Sequence, residues 1–380
     1  MQKIIITVPQ LPLNLDSIKG GVHSALINLL NGFAQLTISI RVVSFSTEVK
    51  EEEIVSFSNS INIHYVPEGN SGSHLINYLK TGKKIMRKQI ADFKPDLIHF
   101  QECNSFFLIK PFFFQKSKTL VTIHGFALEE AKRKKKLKDK ITWLINGWLN
   151  PVLMPKNIIH LSIFSTKLVA SKKIKHARII PNAIKNIFFD IPQKIKTDNR
   201  LLYLGVIDNN KNLIFTLELL SKLIEQKKFY NLDVLGGFSN DAYEKQIRNF
   251  IAEKNLTNYV HFHGWVNQSY VLKQLEQSDI LIVSSKHESL PMAIAESMAS
   301  GKVVMASNVG GIPEMFENNV SGFLFDLNNI ELPLDILIKL YNNNEMIKSI
   351  SENARKEAFE KFHCKNVAKE TIDFYTQILD

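Results

Sequence analysis

The strongest constraint on the fold is a regular alternation of short apolar runs with longer segments of helical hydrophobic spacing. The apolar runs span four to eight residues and are rich in Ile and Val, which is typical of strands buried in a parallel sheet. In an alternating order, the intervening helices cover both faces of that sheet. The pattern therefore predicts an α/β fold built on mostly parallel sheets.

The first half of the chain carries predicted strands at KIIITVP (3–9), ISIRVVSF (38–45), INIHYVP (61–67), DLIHFQ (96–101), TLVTIHG (119–125) and NIIHLSIF (157–164). The helix candidates between them are 21–35, 74–93 and 138–150. The alternation restarts with RLLYLGV (200–206), NLDVLGG (231–237), YVHFHGW (259–265), DILIVSS (279–285) and KVVMASN (302–308), separated by helices at 212–228, 241–254, 268–277, 291–300 and 312–317. We therefore expect a second doubly wound sheet, followed by a long helix over about 346–379 that breaks between 363 and 366.

The domain boundaries follow from length and from a break in the pattern. A chain of 380 residues usually forms two domains. Near 177–200 two prolines and several polar residues interrupt the alternation. We therefore predict a first domain over 1–182, a linker over 183–199 and a second domain over 200–361. Ligands of doubly wound sheets bind at the carboxyl ends of the strands, so the loops there are candidate sites.

The net charge of +10 is unevenly distributed. Residues 1–180 hold 26 Lys and Arg against 12 Asp and Glu, whereas the remaining residues hold 21 against 25. A basic first half favours an anionic partner, either a membrane surface, a phosphorylated acceptor or nucleic acid. The two cysteines, Cys103 and Cys364, suit a reducing cytosol. The first apolar run is too short for a signal peptide, and no run approaches the 18 apolar residues of a membrane span.

Three loops contain residue types that suit ligand binding. In SIKGGVHSALINLL (17–30), Gly20 and Gly21 either let a helix start approach a ligand or form a flexible loop tip. In TIHGF (122–126), His124 either bonds a substrate hydroxyl, acts as an acid or base, or is an ordinary strand-end histidine. In LGVIDNNKNL (204–213), Lys211 either neutralises a phosphate or is a solvated surface lysine.

The stretch HESLPMAIAESMASG (287–301) follows a buried strand and leads through Pro291 into a helix. The amides at a helix N-terminus attract anions, yet Glu288 and Glu296 flank this one. A further Gly-Gly loop, SNVGGIPEMF (307–316), also begins a helix.

The segment EEAKRKKKLKDKITWLINGWLN (129–150) joins a basic cluster to two tryptophans. That combination suits an anionic membrane surface, although a solvated loop followed by a core helix has the same pattern.

In combination, these loops resemble the retaining nucleotide-sugar glycosyltransferases of family four, group 1 type, which have the GT-B fold. The resemblance is most specific over 278–326, where seven residues separate two glutamates and Gly-Gly-x-Pro-Glu follows. It extends to VHFHGWV (260–266), IIPNAI (179–184) and LLYLGVIDNNKN (201–212). In the first half it is weaker and rests on Gly20–Gly21 and His124–Gly125. It implies two doubly wound Rossmann-like domains facing across a cleft, with a C-terminal helix, about 362–380, that crosses back to the first domain.

The resemblance implies that the second domain binds the donor sugar nucleotide. Glu296 would bind the ribose hydroxyls, and Glu288 would accept hydrogen bonds from the donor sugar. The backbone amides of Ser289 and Leu290 would reach the diphosphate or the sugar, and Lys211 would pair with the diphosphate.

Further roles are implied on both sides of the donor. Pro291 belongs to the donor-binding loop, and the backbone at Val266 would contact the base. In the first domain Gly20 and Gly21 would let a loop close over the phosphates, and His124 would stabilise the sugar from the acceptor side. Catalysis is thus assigned to Glu288, His124 and Lys211.

The resemblance also sets expectations for substrates and location. A UDP-sugar is the default donor, and the acceptor is a glycan or lipid-linked saccharide in bacterial surface polysaccharide or glycoconjugate synthesis. No cofactor is expected, and no metal, because no Asp-x-Asp lies in a suitable loop. The protein is expected in the cytoplasm, peripheral to the inner face of the membrane if 129–150 docks there.

One residue departs from the family pattern. Val206 stands where an arginine would pair with the diphosphate, and Lys19 or Lys286 are the candidate replacements. The departure keeps open a GT-B protein of weak or lost activity that binds a glycan or a protein partner. A phosphorylase or epimerase fits the length and the 278–326 pattern less well. Nucleic-acid binding is not expected, because no such motif accompanies the basic half.

Overall fold

The computed structural model describes residues 2–15, 20–68, 81–101, 118–125, 156–168, 174–193 and 199–380. The chain divides into two compact units. Unit 1 comprises Met1–Ala183 together with Cys364–Asp380, and unit 2 comprises Ile184–His363. The predicted helix 138–150, the segment 129–150, Lys19 and Cys103 lie outside the described residues.

Unit 1 contains an eight-stranded sheet in the order β3-β4-β2-β1-β5-β6-β7-β8. Its strands are β1 (Lys3–Pro9), β2 (Ser39–Ser46), β3 (Glu53–Ser58), β4 (Ile61–Pro67), β5 (Leu97–Phe100), β6 (Lys118–Ile123), β7 (Asn157–His160) and β8 (His176–Ile179). Only the β3–β4 pair among these strands is antiparallel. The carboxyl ends of the parallel strands therefore meet along one edge, as the alternation predicts.

Unit 2 contains a six-stranded, fully parallel sheet in the order β11-β10-β9-β12-β13-β14. Its strands are β9 (Arg200–Leu204), β10 (Asn231–Leu235), β11 (Val260–Gly264), β12 (Ile280–Val283), β13 (Val303–Ser307) and β14 (Phe323–Phe325). Chain order reverses between β9 and β12, and ligands bind parallel sheets at such a switch point.

The described helices are α1 (Gly21–Phe33), α2 (Lys83–Phe93), α3 (Ile163–Leu168), α4 (Asn186–Phe189), α5 (Leu213–Glu225), α6 (Asp241–Glu253), α7 (Gln268–Gln277), α8 (Met292–Ala299), α9 (Glu331–Leu340), α10 (Asn344–Phe362) and α11 (Cys364–Leu379). Within this described set, no helix has the length and apolar character needed to cross a bilayer.

Each sheet is covered on both faces, as strand periodicity requires. In unit 1, Ile4 and Ile6 pack with residues of α1 and α11, whereas Ile5 faces Met86 of α2. In unit 2, Leu201 and Leu202 likewise belong to cores on opposite faces of the sheet. Both doubly wound sheets of the prediction are therefore confirmed.

Several element boundaries differ from the prediction. The strand predicted over 157–164 ends at His160, because Ser162 and Ser165 exchange hydrogen bonds and α3 begins at Ile163. Residues 312–317 form only a short 3₁₀ turn, Ile312–Glu314. Within the segment predicted as a linker, α4 forms and buries Phe188 and Phe189 in a core of unit 2.

The sequence reading did not predict β3, β8 or β14. Two of them have only three or four residues, and β3 lies at an edge with exposed side chains. The long C-terminal helix is interrupted at His363, whose backbone is extended at φ −59° and ψ 130°.

Candidate active site

The loop after β12 is joined to the loops after its two neighbouring strands. The Ser284 hydroxyl donates to the carbonyl of Asn212 at 2.9 Å, and the Lys286 amide donates to the Asn210 carbonyl at 2.7 Å. On the other side, the Ser307 hydroxyl donates to the Ser285 carbonyl at 2.6 Å. Three carboxyl-end loops are thus held together at the switch point of the sheet.

These contacts bring Lys211 and Glu288 together. The Lys211 ammonium lies 2.5 Å from Oε1 of Glu288, and the same oxygen accepts from the Ser285 hydroxyl at 2.7 Å. The Lys211 and Glu288 side chains expose 28% and 11% of their surface. The amide of Lys211 donates to Asp208 at 2.7 Å, which fixes the turn that presents the ammonium. The result is a partly buried ion pair, in which the two charges offset each other.

The Gly-Gly loop of 307–316 packs against the backbone carbonyl of Glu288. Gly310 has a φ of +58°, and a Cβ there would overlap the Glu288 carbonyl. Gly311 donates its amide to the same carbonyl at 3.2 Å. This loop therefore positions the backbone of Glu288, a role that the sequence pattern had left open.

The segment between Glu288 and α8 leaves donors available. Among the residues that the structure describes, the amides of Ser289 and Leu290 donate to no protein acceptor. Pro291, the N-cap residue of α8, is extended and brings no amide hydrogen of its own. An anion that approaches this end of α8 would meet the two free amides and the Lys211 ammonium.

Glu296 lies in the second turn of α8. Its side chain keeps part of its accessible surface but is closely surrounded by protein. This burial raises the pKa of Glu296 to about 7, and the positive charge of Lys185 partly offsets the increase. A carboxyl group in such a place gains from any ligand hydroxyl that replaces lost water.

The end of β11 carries Val266 and its neighbour Trp265. The fully buried Asp233 accepts from His263 at 2.8 Å and from Arg200 at 2.6 Å, and this fixes the strand just before the loop. Val266 packs partly against the core, whereas Trp265 exposes 62% of its surface. The Trp265 ring packs against Gly237 and occupies the space that a Cβ at position 237 would need.

Val206 follows the carboxyl end of β9 and is partly buried. Its carbonyl accepts from the Tyr203 hydroxyl at 3.3 Å. The exposed Lys286 begins the turn that leads to Glu288, and its backbone is tied to Asn210, next to Lys211. Lys286 is therefore the described candidate for the second cation, since Lys19 lies outside the described residues.

In unit 1, the predicted Gly20–Gly21 loop leads into α1. Gly20 has a φ of +113°, and both glycines are exposed. Two residues later, the His23 Nε2 lies 2.8 Å from the Pro9 carbonyl at the end of β1. Ala25 of α1 lines the same cavity as His124, so this helix start lies near the His124 loop.

His124 follows β6 and contacts Gln101, which follows β5. Its Nε2 lies 2.9 Å from Oε1 of Gln101. Burial, followed by the effect of His23, lowers the pKa of His124 to about 4. The imidazole is therefore neutral at pH 7 and is suited to accept a hydrogen bond.

The structure thus joins Lys211 directly to Glu288 and places the helix that begins at Gly21 near His124. No direct contact links Glu296 or Val266 to the pair among the described interactions. Sequence reading missed Ser285, Asp208 and Gln101. Serine in SSKHE and aspartate in VIDNNK were visible signals, because short polar side chains commonly fix such turns. Within the described ranges, no group of three or more His, Cys, Asp and Glu could hold a metal ion.

Two units with helix-covered parallel sheets, one with a cation and carboxylate at its switch point, have the architecture of GT-B glycosyltransferases. The family described as Glycosyl transferases group 1 matches residues 184–357, and Glycosyltransferase Family 4 matches 19–185. Together these matches extend over 19–357. The chain belongs to the family-four, group 1 glycosyltransferases, which confirms the resemblance seen in the sequence.

The individual relatives share low sequence identity with this chain. The chain is similar to a UDP-Gal:alpha-D-GlcNAc-diphosphoundecaprenol alpha-1,3-galactosyltransferase from Escherichia coli, with 23% identity over 68% of each protein. Several other curated relatives are matched over 29 to 58% of their own length.

Solved structures show the same fold. Sucrose-phosphate synthase from Thermosynechococcus elongatus superimposes with a TM-score of 0.78 at 18% identity, over 100% of this chain and 99% of the other. Anabaena HepE, in complex with UDP and glucose, superimposes with a TM-score of 0.74 at 15% identity, over 99% and 100%.

Proposed function

We propose that this protein is a retaining glycosyltransferase that moves a sugar from a UDP-sugar to a glycan or lipid-linked acceptor. The role would lie in bacterial surface polysaccharide or glycoconjugate synthesis. The observation that carries the proposal is the Lys211–Glu288 pair beside the free amides of Ser289 and Leu290. Family membership supports it, as do the lipid-linked substrate in the name of the Escherichia coli relative and the UDP bound to HepE.

The donor is assigned to unit 2. Lys211, the amides of Ser289 and Leu290, and Lys286 would bind the diphosphate. Glu288 would accept from the hydroxyls of the transferred sugar. Cations and amides thus meet the anionic part of the donor, and the carboxylate meets its neutral, hydroxyl-bearing part.

The nucleoside is assigned to residues on either side of that loop. Glu296 would accept from the ribose hydroxyls, and the backbone at Val266 would contact the base. Trp265 exposes a flat aromatic surface next to Val266, and such a surface suits stacking on a base.

Charge development explains how these groups would catalyse the transfer. The bond between the anomeric carbon and the phosphate oxygen breaks, and its electron pair leaves with the diphosphate. Lys211, Lys286 and the free amides would stabilise that negative charge, and Glu288 would face the developing positive charge on the sugar. The acceptor oxygen bonds to the anomeric carbon from the same face, and its proton passes to the departing phosphate. No metal ion has a role in this scheme.

The first test is a panel of nucleotide sugars screened by thermal shift and then by release of the nucleoside diphosphate. We expect one UDP-sugar to raise the melting temperature and to be turned over with a glycan or lipid-linked saccharide. Product stereochemistry, read by NMR of the anomeric proton, then tests retention. A panel with no stabilising donor would refute the proposal.

Val206 favours one second candidate, a GT-B protein that binds a glycan or partner with weak or lost activity. Without a cation at 206, the leaving diphosphate has less charge compensation. That candidate predicts glycan binding without turnover of any donor that stabilises the fold, so the same panel separates the two.

The proposal includes docking of the segment 129–150 on an anionic membrane, since its lysines adjoin two tryptophans. This idea rests on sequence, because the segment lies outside the described residues. Flotation with anionic and neutral liposomes, at low and moderate salt, tests it. A variant with the lysines of 132–140 changed to Gln should float less well than the wild type, and equal flotation of the two proteins would contradict membrane docking.

A further inference from the structure

A row of polar side chains lies at the carboxyl end of the unit 1 sheet, on the face covered by α1 and α11. His99 and Gln101 lie two residues apart, as do Thr122 and His124, so each pair shares that face. His99 has no exposed surface and Gln101 exposes 2%. A small cavity lined by these four side chains adjoins Ala25 of α1. Buried polar groups of this kind are normally hydrogen-bonded, so their partners reveal their protonation.

The orientation of the Gln101 amide sets a consistent direction for each hydrogen bond. His99 Nε2 lies 2.7 Å from the Thr122 hydroxyl, which can donate or accept, and 3.5 Å from the Gln101 amide nitrogen, which can only donate. With the Gln101 amide placed this way, we assign His99 Nε2 as an acceptor, and His99 Nδ1 then carries the hydrogen that points to the Tyr375 oxygen at 2.7 Å. With its nitrogen toward His99, the Gln101 amide presents its oxygen to His124 Nε2 at 2.9 Å.

We propose that Gln101 is a positioning residue that holds His124 in its Nε2–H form, leaving Nδ1 as an acceptor for a substrate hydroxyl. The hydroxyl belongs to the donor sugar or the acceptor, and this part rests on the proposed function. The hydrogen bond between Gln101 and His124 does not depend on the proposed function. Among the described side chains, no other hydrogen bond involves the His124 ring.

The surroundings support a neutral ring. In the described part of unit 1, the titratable groups around His124 are His23 from α1, His99 from β5 and, beyond His99, Tyr375 from α11. Within the described part of unit 1 no carboxylate adjoins the ring, and burial lowers the pKa values of both His99 and His124. His124 therefore acts as an acceptor at neutral pH, and the amide of Gln101 decides which ring nitrogen is available.

The same chain of contacts extends to the C-terminal helix. Tyr375 of α11 fixes His99, and His99 in turn orients the Gln101 amide. The C-terminal helix thus contributes to the position of His124 without contacting it. A Tyr375→Phe change should loosen the network while keeping the apolar packing of the ring.

The direct test is NMR of the full-length protein carrying ¹⁵N-labelled histidine, with His124 assigned by its absence in His124→Gln. Two-bond ¹⁵N–¹H spectra report which ring nitrogen is protonated. We expect the Nε2–H form in the wild type between pH 6 and 8, and a mixture of forms in Gln101→Leu. The matched control is Gln89→Leu, because Gln89 is equally buried in unit 1 but bonds to Arg41 and Glu52. It should leave the His124 signals unchanged.

A second variant keeps the test independent of folding defects. In Gln101→Glu a carboxylate would accept from the same nitrogen and raise the pKa of His124. The midpoint of the His124 ¹⁵N titration should rise by at least one pH unit. The acidic side of the pH profile of the transfer rate should shift by the same amount. Gln101→Leu should lower kcat by roughly tenfold or more and leave the affinity for UDP, which unit 2 binds, unchanged.

The outcomes separate the two proposals. An Nδ1–H ring in the wild type, or a Gln101→Leu protein with unchanged tautomer and pH profile, would overturn the role of Gln101. If the tautomer depends on Gln101 but no nucleotide sugar is turned over, the positioning role stands and the proposed function fails.

Discussion

The ammonium of Lys211 lies 2.5 Å from Oε1 of Glu288, and this contact joins the loop after β9 to the loop after β12. The group assigned to the diphosphate therefore neutralises the group assigned to the sugar. A bound donor would compete for both partners, with its phosphates facing Lys211 and its hydroxyls facing Glu288. The pairing explains how a carboxylate is tolerated beside the proposed anion site, because its charge already has a partner there.

The first prediction concerns this pair. Lys211→Ala and Glu288→Ala should each lower kcat/KM by roughly 100-fold or more, because each removes an interaction that strengthens as charge develops. Folding should be less affected, since the pair is partly exposed to water. Steady-state release of UDP and thermal unfolding of the same preparations measure the two effects.

Lys222 and Glu331 provide the matched control for that experiment. They form an ion pair at 2.9 Å in the same unit, with both side chains more exposed. Lys222→Ala should leave kcat/KM within about twofold of the wild type, because exposed pairs contribute little. Full activity in both Lys211→Ala and Glu288→Ala would place the site elsewhere.

Much of this arrangement was accessible from the sequence. Apolar runs of Ile and Val predicted the inner strands, because a strand buried on both faces must be apolar throughout. The resemblance over 278–326, including the spacing of Glu288 and Glu296, predicted this segment as the donor loop, and the helix start expected after Pro291 is present at Met292. Lys211 was a candidate because it follows a strand end and because the resemblance places a cation for the diphosphate there.

Other features depended on contacts that no local pattern records. Gln101 meets His124 across 23 residues of chain, and the alternation predicts that both lie at one edge of the sheet without specifying that their strands are neighbours. The support of Glu288 by Gly310 is likewise a long-range contact. Short edge strands such as β14 were missed because three residues do not establish a period.

The second prediction tests the missing cation at 206. Lys286→Ala should weaken UDP binding by about tenfold, because a charge-assisted hydrogen bond to the diphosphate is lost. Adding Val206→Arg to that variant should restore the affinity, since the family places an arginine there. Isothermal titration calorimetry at two salt concentrations measures both, and the affinity gained through Val206→Arg should shrink at high salt. Unchanged affinity in Lys286→Ala would exclude Lys286 as the replacement.

The third prediction concerns Glu296, whose pKa in the folded protein is raised to about 7 by burial. The unfolded chain titrates near the ordinary value of a glutamate, so the folded state binds the proton more tightly. The stability contributed by this group is therefore full below pH 4.5 and is lost as the pH rises to 7. Glu296→Gln should remove that dependence.

Thermal unfolding between pH 5 and 8 checks the direction of this pH dependence of stability. Relative to the wild type, Glu296→Gln should gain stability toward pH 8, by up to ~3 kcal/mol if Glu296 is the sole cause. It should also bind UDP more weakly, because an amide is a poorer acceptor for two ribose hydroxyls than a carboxylate. A difference in melting temperature that does not vary with pH would contradict the raised pKa.

The last prediction concerns Trp265, the exposed aromatic residue beside Val266. Trp265→Ala should weaken UDP binding by roughly tenfold or more, because stacking of an aromatic ring on a base contributes about 1–3 kcal/mol. Trp265→Phe should retain most of the affinity, since its ring still offers a stacking surface. Phe229 is the matched control, because it is 47% exposed in the same unit and stacks on Tyr259. Calorimetry should show unchanged UDP affinity in Phe229→Ala. Wild-type UDP affinity in Trp265→Ala would show that the base is bound elsewhere.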